Sequence, residues 1–280
     1  MKNILIISGK KQSGKNSLCA FLTGYMLKKY RKETGLDDYG IHPETGELLV
    51  PITEAGSDYS LGKNGEPMKN VGVFDIFRTD PDYQMYAADN IWKYVKPYNF
   101  AAPLKGLATE IFGIKHENVW GTDEEKNRFT HIPWDRFKDL APEKYVGKKG
   151  GFITGREFLE IMGTNVFRAI YPDCWVNFCY KQICQSESKL HVIFDARFPN
   201  EIDFFKEKAK EDVSINLKVI RLNKRLDLKG KTESDVEMAL DGYDRSKYDY
   251  ICENQNMSIE EKNADVLGKL LEWGMIEVEI

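Results

Sequence analysis

Short apolar runs alternate with longer amphipathic stretches along most of this chain. Ile4 to Ile7 form a continuous apolar run, which suits a strand buried on both faces of a parallel sheet. Tyr98–Ala101, His191–Asp195, Leu217–Leu222 and Tyr248–Ile251 are read as further strands. Between them the spacing turns helical. Leu18, Phe21, Leu22, Tyr25 and Met26 predict a helix from about Lys15 to about Glu33. Asp80, ahead of Pro81, opens a helix expected to reach Tyr94, and Pro103 opens one that Gly113 stops. Thr154 is placed to cap a helix carrying Phe158, Leu159 and Met162. After Pro172, a helix is expected to turn Trp175, Val176, Phe178, Cys179 and Ile183 inward. Pro199 starts another, and Ser258 with Glu261 forms a capping box for the last. Strands separated by helices predict an α/β fold with a central parallel sheet of about five strands.

Some stretches break the pattern. Residues 35–70 are rich in glycine and lack periodicity, so a long loop or small insertion is expected there. Residues 114–154 are polar, with tryptophan, proline and glycine, and are read as an irregular lobe on the substrate side. Lys224 to Lys231 read as a charged turn, followed by a short helix from about Ser234.

At 280 residues, 42% of them apolar, the chain is long enough for one large domain with an insertion, or for two small ones. Its formal net charge of −4 argues against a protein that coats nucleic acid. Local positive clusters therefore need a local explanation, such as a small phosphorylated ligand. No apolar stretch approaches a membrane span, and the first one is too short for a secretory signal. Cys19, Cys174, Cys179, Cys184 and Cys252 make an odd count, read as reduced thiols in a cytoplasmic protein. The recurrence of Cys174, Cys179 and Cys184 at every fifth residue is not a metal-ligand spacing. His42, His116, His131 and His191 show no paired metal spacing and no nucleophile motif, so triad hydrolysis has no support.

The chemistry starts where the first strand ends. Ser8–Ser17 reads SGKKQSGKNS, with Gly9, Gly14 and Lys15 at the spacing of a phosphate-binding loop. Gly9 permits a sharp turn, and Gly14 lets backbone N–H groups approach phosphate oxygens. Lys15 can reach the β- and γ-phosphates, Ser17 can offer a hydroxyl to Mg²⁺, and the helix that follows points its positive end at the same anion. Gly9, Lys11, Ser13, Gly14, Lys15, Asn16 and Ser17 are the expected nucleotide-binding residues.

Other strand ends carry further candidates. Asp195 ends an apolar strand where a magnesium-directing carboxylate is expected, a cap or a partner for Arg197 being the alternative. Arg197, at the same sheet edge, suits a phosphate clamp, with Asn200 and Glu201 as residues that could orient it, helix capping explaining Asn200 equally well. Arg156 and Arg168 flank a helical segment interrupted at Gly163-Thr164. Lys105 lies near a helix N-terminus, where the dipole disfavours a cation. Arg221 and Arg225 flank the exit of the fourth strand, either as an exposed basic turn or as part of a closing lid over ATP.

In combination these segments resemble bacteriophage-type deoxynucleoside monophosphate kinases, of the P-loop nucleoside monophosphate kinase group. The matching pieces are SGKKQSGKNS, FAAPLK at Phe100–Lys105, Gly121-Thr122, TGREFLEIMGTNVFR at Thr154–Arg168, PDCWV at Pro172–Val176, DARFPNE at Asp195–Glu201, and Thr232–Asn254. The hydroxyl two residues after the lysine, with Asn16 between, also fits small-molecule and nucleotide kinases. The resemblance implies a three-layer P-loop kinase fold that transfers the ATP γ-phosphate to a deoxynucleoside monophosphate, with Mg²⁺. It implies Lys15, Arg156, Arg168 and Arg197 as catalytic groups, and Lys105 with the three arginines as the acceptor site. Trp120 or Trp175 could stack on the acceptor, with core packing favoured for Trp175. The expected organisation is a P-loop core (1–34, 96–113 and 186–280), an insertion of unassigned role (35–95), an acceptor lobe with helices (114–185) and a lid-like segment (223–240). The implied partners are small molecules, not nucleic acid or membrane, with a homodimer left open. Two departures from the family pattern, Asn165 and Thr232-Glu233-Ser234-Asp235, bear on base and adenine contacts. A kinase of dephospho-coenzyme A or of a nucleoside, and a nucleotide-binding regulator without turnover, are the competing readings. A GTPase is not, because no Asn-Lys-x-Asp motif occurs.

Overall fold

The computed structural model describes residues 1–51, 71–145, 148, 150–224 and 239–277. Arg225, the 232–235 stretch, the helix expected from about Ser234 and most of the expected lid lie outside the described residues. The chain clusters into two units, residues 1–98 with 182–280, and residues 99–181.

The first unit opens with β1 (Lys2–Gly9), α1 (Lys15–Lys29) and a short α2 (Arg31–Thr34). Next come β2 (Gly40–Ile41), β3 (Leu48–Pro51), β4 (Val71–Val73), α3 (Pro81–Asn90) and β5 (Val95–Tyr98). The second unit carries α4 (Ala102–Glu110), α5 (His116–Trp120), α6 (Asp123–Lys126), β6 (Phe129–Pro133), β7 (Phe152–Thr154) and α7 (Gly155–Glu160). A π-helical stretch, Ile161–Arg168, continues α7 directly. Helix α8 (Cys174–Gln185) returns the chain to the first unit. There β8 (Leu190–Ala196), α9 (Pro199–Glu211), β9 (Ile215–Leu222), β10 (Tyr250–Cys252) and α10 (Ile259–Glu272) follow, and short 3-10 turns make up the rest of the described elements.

The main sheet is parallel throughout, in the order β10-β9-β1-β8-β5. Its central strand β1 is apolar on both faces, and Ile4 to Ile7 are fully buried, as a doubly covered parallel strand requires. Helix α1 packs Leu18, Leu22 and Met26 into the same core. The fold class expected from the hydrophobic pattern is the one observed. Because β8 and β9 flank β1, the loop leaving β1 emerges between two other carboxyl strand ends. Open α/β sheets place ligands at such a point.

Several boundaries differ from expectation. The second core strand is Val95–Tyr98, three residues earlier than Tyr98–Ala101. Pro97 argues against a strand, yet β5 is the sheet edge and pairs only with β8, so the missing N–H is tolerated. Helix α1 stops at Lys29 instead of about Glu33, α3 at Asn90 instead of Tyr94, and the fifth strand runs Tyr250–Cys252. The 35–70 stretch, expected as a long loop or small insertion outside the core, carries strands, and its Leu48 joins the main core. In its described part, β2 and β3 pair antiparallel, and β4 adds to β3. Leu48 and Leu49 anchor this small sheet by burial.

The second unit has its own core, built from Ala108, Ile114, Val119, Trp134, Phe137, Ile153, Phe158 and Ile161. It also contains the antiparallel pair β6–β7 and so is less irregular than its composition implied. On α8, Val176, Cys179 and Ile183 are buried as expected, but Phe178 is 45% exposed. Capping boxes hold α7 through Thr154 and Glu157, and α10 through Ser258 and Glu261.

Candidate functional site

The glycine loop between β1 and α1 takes its shape from three backbone positions. Gly9 (φ +151°) and Gly14 (φ +96°) have conformations that favour glycine, and Gln12 also has positive φ, at 58°. A Cβ on Gly9 would come within 2.8 Å of the Leu222 carbonyl oxygen, so β9 itself excludes a side chain there. Gly14 is the N-cap of α1, and no side chain caps that helix or places an acid in its first turn. The first turn of a helix has N–H groups without intrahelical acceptors, and an uncapped, acid-free one invites an anion.

Lys15, only 9% exposed, bends back over the loop and donates to the carbonyls of Gly9 (2.7 Å) and Lys10 (2.6 Å). The Ser13 hydroxyl is buried and has no hydrogen-bond partner among the described residues. A buried polar group left in this state calls for a ligand or a water. A glycine cradle, an uncapped helix and a lysine at its mouth together fit the phosphates of a nucleotide.

Beside the loop, Gly9, Lys10, Lys11, Ala196, Arg197, Arg221 and Leu240 line a cleft at the carboxyl ends of β1, β8 and β9. The structure therefore brings Arg197 and Arg221 together with the loop lysines. Arg197 is exposed, and its guanidinium has no partner among the described residues. Glu201, buried, does not grip that guanidinium. It accepts the backbone N–H groups of Arg197 (2.6 Å) and Phe198 (3.0 Å), fixing the turn from which the arginine projects. Arg221 is 8% exposed and held from three directions, by the Leu240 carbonyl (3.2 Å), the Tyr248 hydroxyl (3.1 Å) and Asp241 (3.1 Å). Lys10 pairs with the same Asp241 at 2.9 Å. Asp195 stands one residue before the end of β8, half-buried.

Ser17 lies differently from Asn16. Asn16 is exposed, whereas Ser17 is buried in the first turn of α1. The Ser17 hydroxyl donates to the Gly14 carbonyl at 2.9 Å and accepts from Lys262 at 2.6 Å. Lys262, on α10, also donates to the Gly14 carbonyl at 2.9 Å. It is 2% exposed, and burial pulls its pKa down to about 8. A neighbouring Asn254 amide donates to the Ser13 carbonyl at 2.9 Å. From the other side, the turn joining β2 and β3 rests on Ser17, and a Cβ on Gly46 would overlap the serine Cβ. Among the described residues no group of three or more His, Cys, Asp or Glu is placed to hold a metal.

Sequence reasoning missed Lys262, Asn254 and Gly46. One signal was available for the lysine. Lys262, Val266 and Leu270 recur every fourth residue, so the apolar stripe of α10 carries a cation. Nothing local marked the other two, whose roles depend on contacts made across long sequence separations.

The remaining candidates belong to the second unit. Arg156, on α7, donates to Asn127 (3.0 Å) and pairs with Asp123 (2.7 Å). Arg168 closes the π-helical stretch, half-buried. The interruption expected at Gly163-Thr164 is a change of winding rather than a break, and the Trp175 indole donates to the Gly163 carbonyl there at 3.3 Å. Lys105 lies 4.3 Å above the Trp120 ring, which offsets its unfavourable place near a helix N-terminus. His116 stacks on the same indole.

Two curated viral proteins are similar to this chain. One, from Acanthamoeba polyphaga mimivirus and provisionally named a deoxynucleotide monophosphate kinase, is 29% identical over 39% of this chain and 54% of that protein. The other, the deoxynucleoside-5'-monophosphate kinase of Escherichia phage T5, is 24% identical over 49% of this chain and 70% of that protein. The chain resembles the viral deoxynucleotide kinases. The match thus spans about half the length of the mimivirus relative. No protein-family model matches the chain. Both relatives carry the name of the family read from the motifs, and both are named kinases. No helix among the described residues is long and apolar enough to cross a membrane.

Proposed function

We propose that this protein is an ATP-dependent kinase that converts a deoxynucleoside monophosphate to the diphosphate. The observation that carries this reading is the uncapped α1 N-terminus behind the Gly9–Gly14 loop, with Lys15 folded over its mouth. Phosphoryl transfer requires positioned phosphates and charge stabilisation more than covalent help, and these elements supply both. Loop N–H groups and Lys15 hold the donor phosphates, and Lys15 offsets charge at the β- and γ-positions. Arg197, beside Lys10 and Lys11 and with no guanidinium partner among the described residues, is assigned to the transferring or acceptor phosphate, where a planar guanidinium matches two oxygens. Arg221 fixes the cleft wall through Asp241 and Leu240. ATP would supply the phosphoryl group and an accompanying Mg²⁺ would offset phosphate charge, with Asp195 as the carboxylate that would hold it through water. Arg156, Arg168 and Lys105 are proposed for the acceptor. The names of the two relatives support the substrate class.

The test is ADP release from ATP·Mg²⁺ in the presence of each deoxynucleoside monophosphate, with dephospho-coenzyme A and a deoxynucleoside as competing acceptors. Release that depends on a monophosphate supports the assignment. Release with dephospho-coenzyme A or the nucleoside alone transfers it to another acceptor class, and tight ATP binding without turnover makes the protein a regulator.

A further inference from the structure

Lys262 is placed where a cation has every reason not to be. It is buried, and its ammonium meets only neutral acceptors among the described residues, the Gly14 carbonyl and the Ser17 hydroxyl. Desolvating an ammonium without a carboxylate is strongly unfavourable. It also sits against the first turn of α1, the positive end of that helix, which already holds Lys15. Burial, the lack of a counter-ion among the described residues and the helix dipole all oppose this charge. A polyphosphate bound to the loop would relieve the last two at once.

We propose that Lys262 is a positioning residue of the nucleotide site, a fixed positive charge behind the phosphate loop that acts through Gly14 and Ser17 on a bound nucleoside di- or triphosphate. It holds the Gly14 carbonyl and Ser17 hydroxyl from the side of α10, so the first turn of α1 is set before a ligand arrives. Its charge adds to the helix dipole in drawing the phosphates. Because its ammonium already occupies the Ser17 hydroxyl at 2.6 Å, that hydroxyl is an unsuitable direct ligand for a second, divalent cation. The contribution is therefore independent of metal. This inference rests on the kinase reading only in requiring that the loop binds nucleotide, not in the choice of acceptor.

The test is calorimetric binding of ADP in EDTA, with thermal unfolding of the ligand-free protein, for wild type, Lys262→Met and Lys262→Gln. Methionine keeps the length and removes the charge, while glutamine keeps an amide donor without the charge. The account expects ADP affinity to fall about tenfold in both variants. The ligand-free Tm should stay level or rise, because replacing a buried charge that has no ion-pair partner among the described residues by an apolar group is neutral to stabilising. Unchanged affinity in both variants overturns the proposal. So does restoration of both affinity and Tm by glutamine after methionine has lowered them, since Lys262 would then be a structural hydrogen-bond strut. If Lys262→Met does not fold, weak binding by a folded Lys262→Gln still supports the role, and wild-type affinity in it overturns the role. Wild-type protein that fails to bind ADP at all overturns the nucleotide site itself, and this proposal with it. Wild-type binding without kinase turnover leaves this inference standing and removes only the kinase reading.

Discussion

The phosphate loop and the 99–181 unit both contain the cations that phosphate chemistry needs, but they hold them in opposite ways. Around the loop, Lys15 and Lys262 are buried and their ammonium groups face backbone carbonyls and a serine hydroxyl. In the second unit, Arg156 is nearly half exposed and paired with Asp123, itself more than half exposed. A cation fixed by the backbone keeps its place with or without ligand, at an electrostatic cost that an anion repays. A cation held by an exposed carboxylate is stabilised little by that pair and is free to exchange partners. On the proposed reading, the first arrangement is a preorganised anion site and the second a surface from which an arginine is recruited.

The largest effect is expected at Lys15. Lys15→Ala should lower acceptor-dependent ADP release by roughly a thousandfold or more, since it removes a preorganised charge from the transferring phosphates. Its Tm should stay close to wild type, and near-normal turnover would remove the loop from the mechanism.

Next comes the packing that buries Ser17. Gly46 and Gly35 share a left-handed backbone, with φ of +73° and +70°. A Cβ on Gly46 would overlap Ser17, whereas one on Gly35 would meet nothing within 4 Å. Gly35→Ala should therefore cost about 1 kcal/mol from backbone strain alone, and Gly46→Ala about 2–3 kcal/mol, read from urea midpoints. Equal costs would mean that the β2–β3 turn does not press on the first turn of α1.

A fourth substitution addresses the metal. Ser17→Ala should leave the Mg²⁺ concentration for half-maximal activity within about twofold, because Lys262 holds that hydroxyl. A tenfold rise would return Ser17 to the metal role that its position in the motif implies. The smallest effect on stability is expected at Arg156. Arg156→Ala should change unfolding free energy by no more than about 0.5 kcal/mol. It should raise the KM for the deoxynucleoside monophosphate while leaving that for ATP unchanged. A matching rise in the ATP KM would erase the contrast between the two regions.

The same contrast explains what could be read from the sequence. Continuous apolar runs placed β1 and β8, because a parallel strand covered on both faces leaves that trace, while β9, broken by Lys218 and Arg221, left a weaker one. The bend of the glycine loop was legible for a similar reason, since Gly9 and Gly14 act through backbone conformation that their spacing dictates. Strand β5 was displaced because Pro97 opposes a strand everywhere except at an edge, and edge position is a property of the assembled sheet. Phe178 shares the helical period of its buried neighbours on α8, and periodicity alone did not reveal that it faces solvent. Lys262 and Gly46 meet Ser17 from distant parts of the chain, and only the packed structure brings them together. The partner of Arg156 was hidden likewise, because many carboxylates of a charged surface could have served.

The most direct measurement follows the label from ATP carrying a radioactive γ-phosphate. Wild type and Lys15→Ala are incubated with magnesium and, separately, with dAMP, dCMP, dGMP and dTMP, and the products are separated by chromatography. The account predicts label in the deoxynucleoside diphosphate for at least one acceptor with wild type, and none above background with Lys15→Ala. Label that remains in ATP or appears only as inorganic phosphate with every acceptor would contradict it.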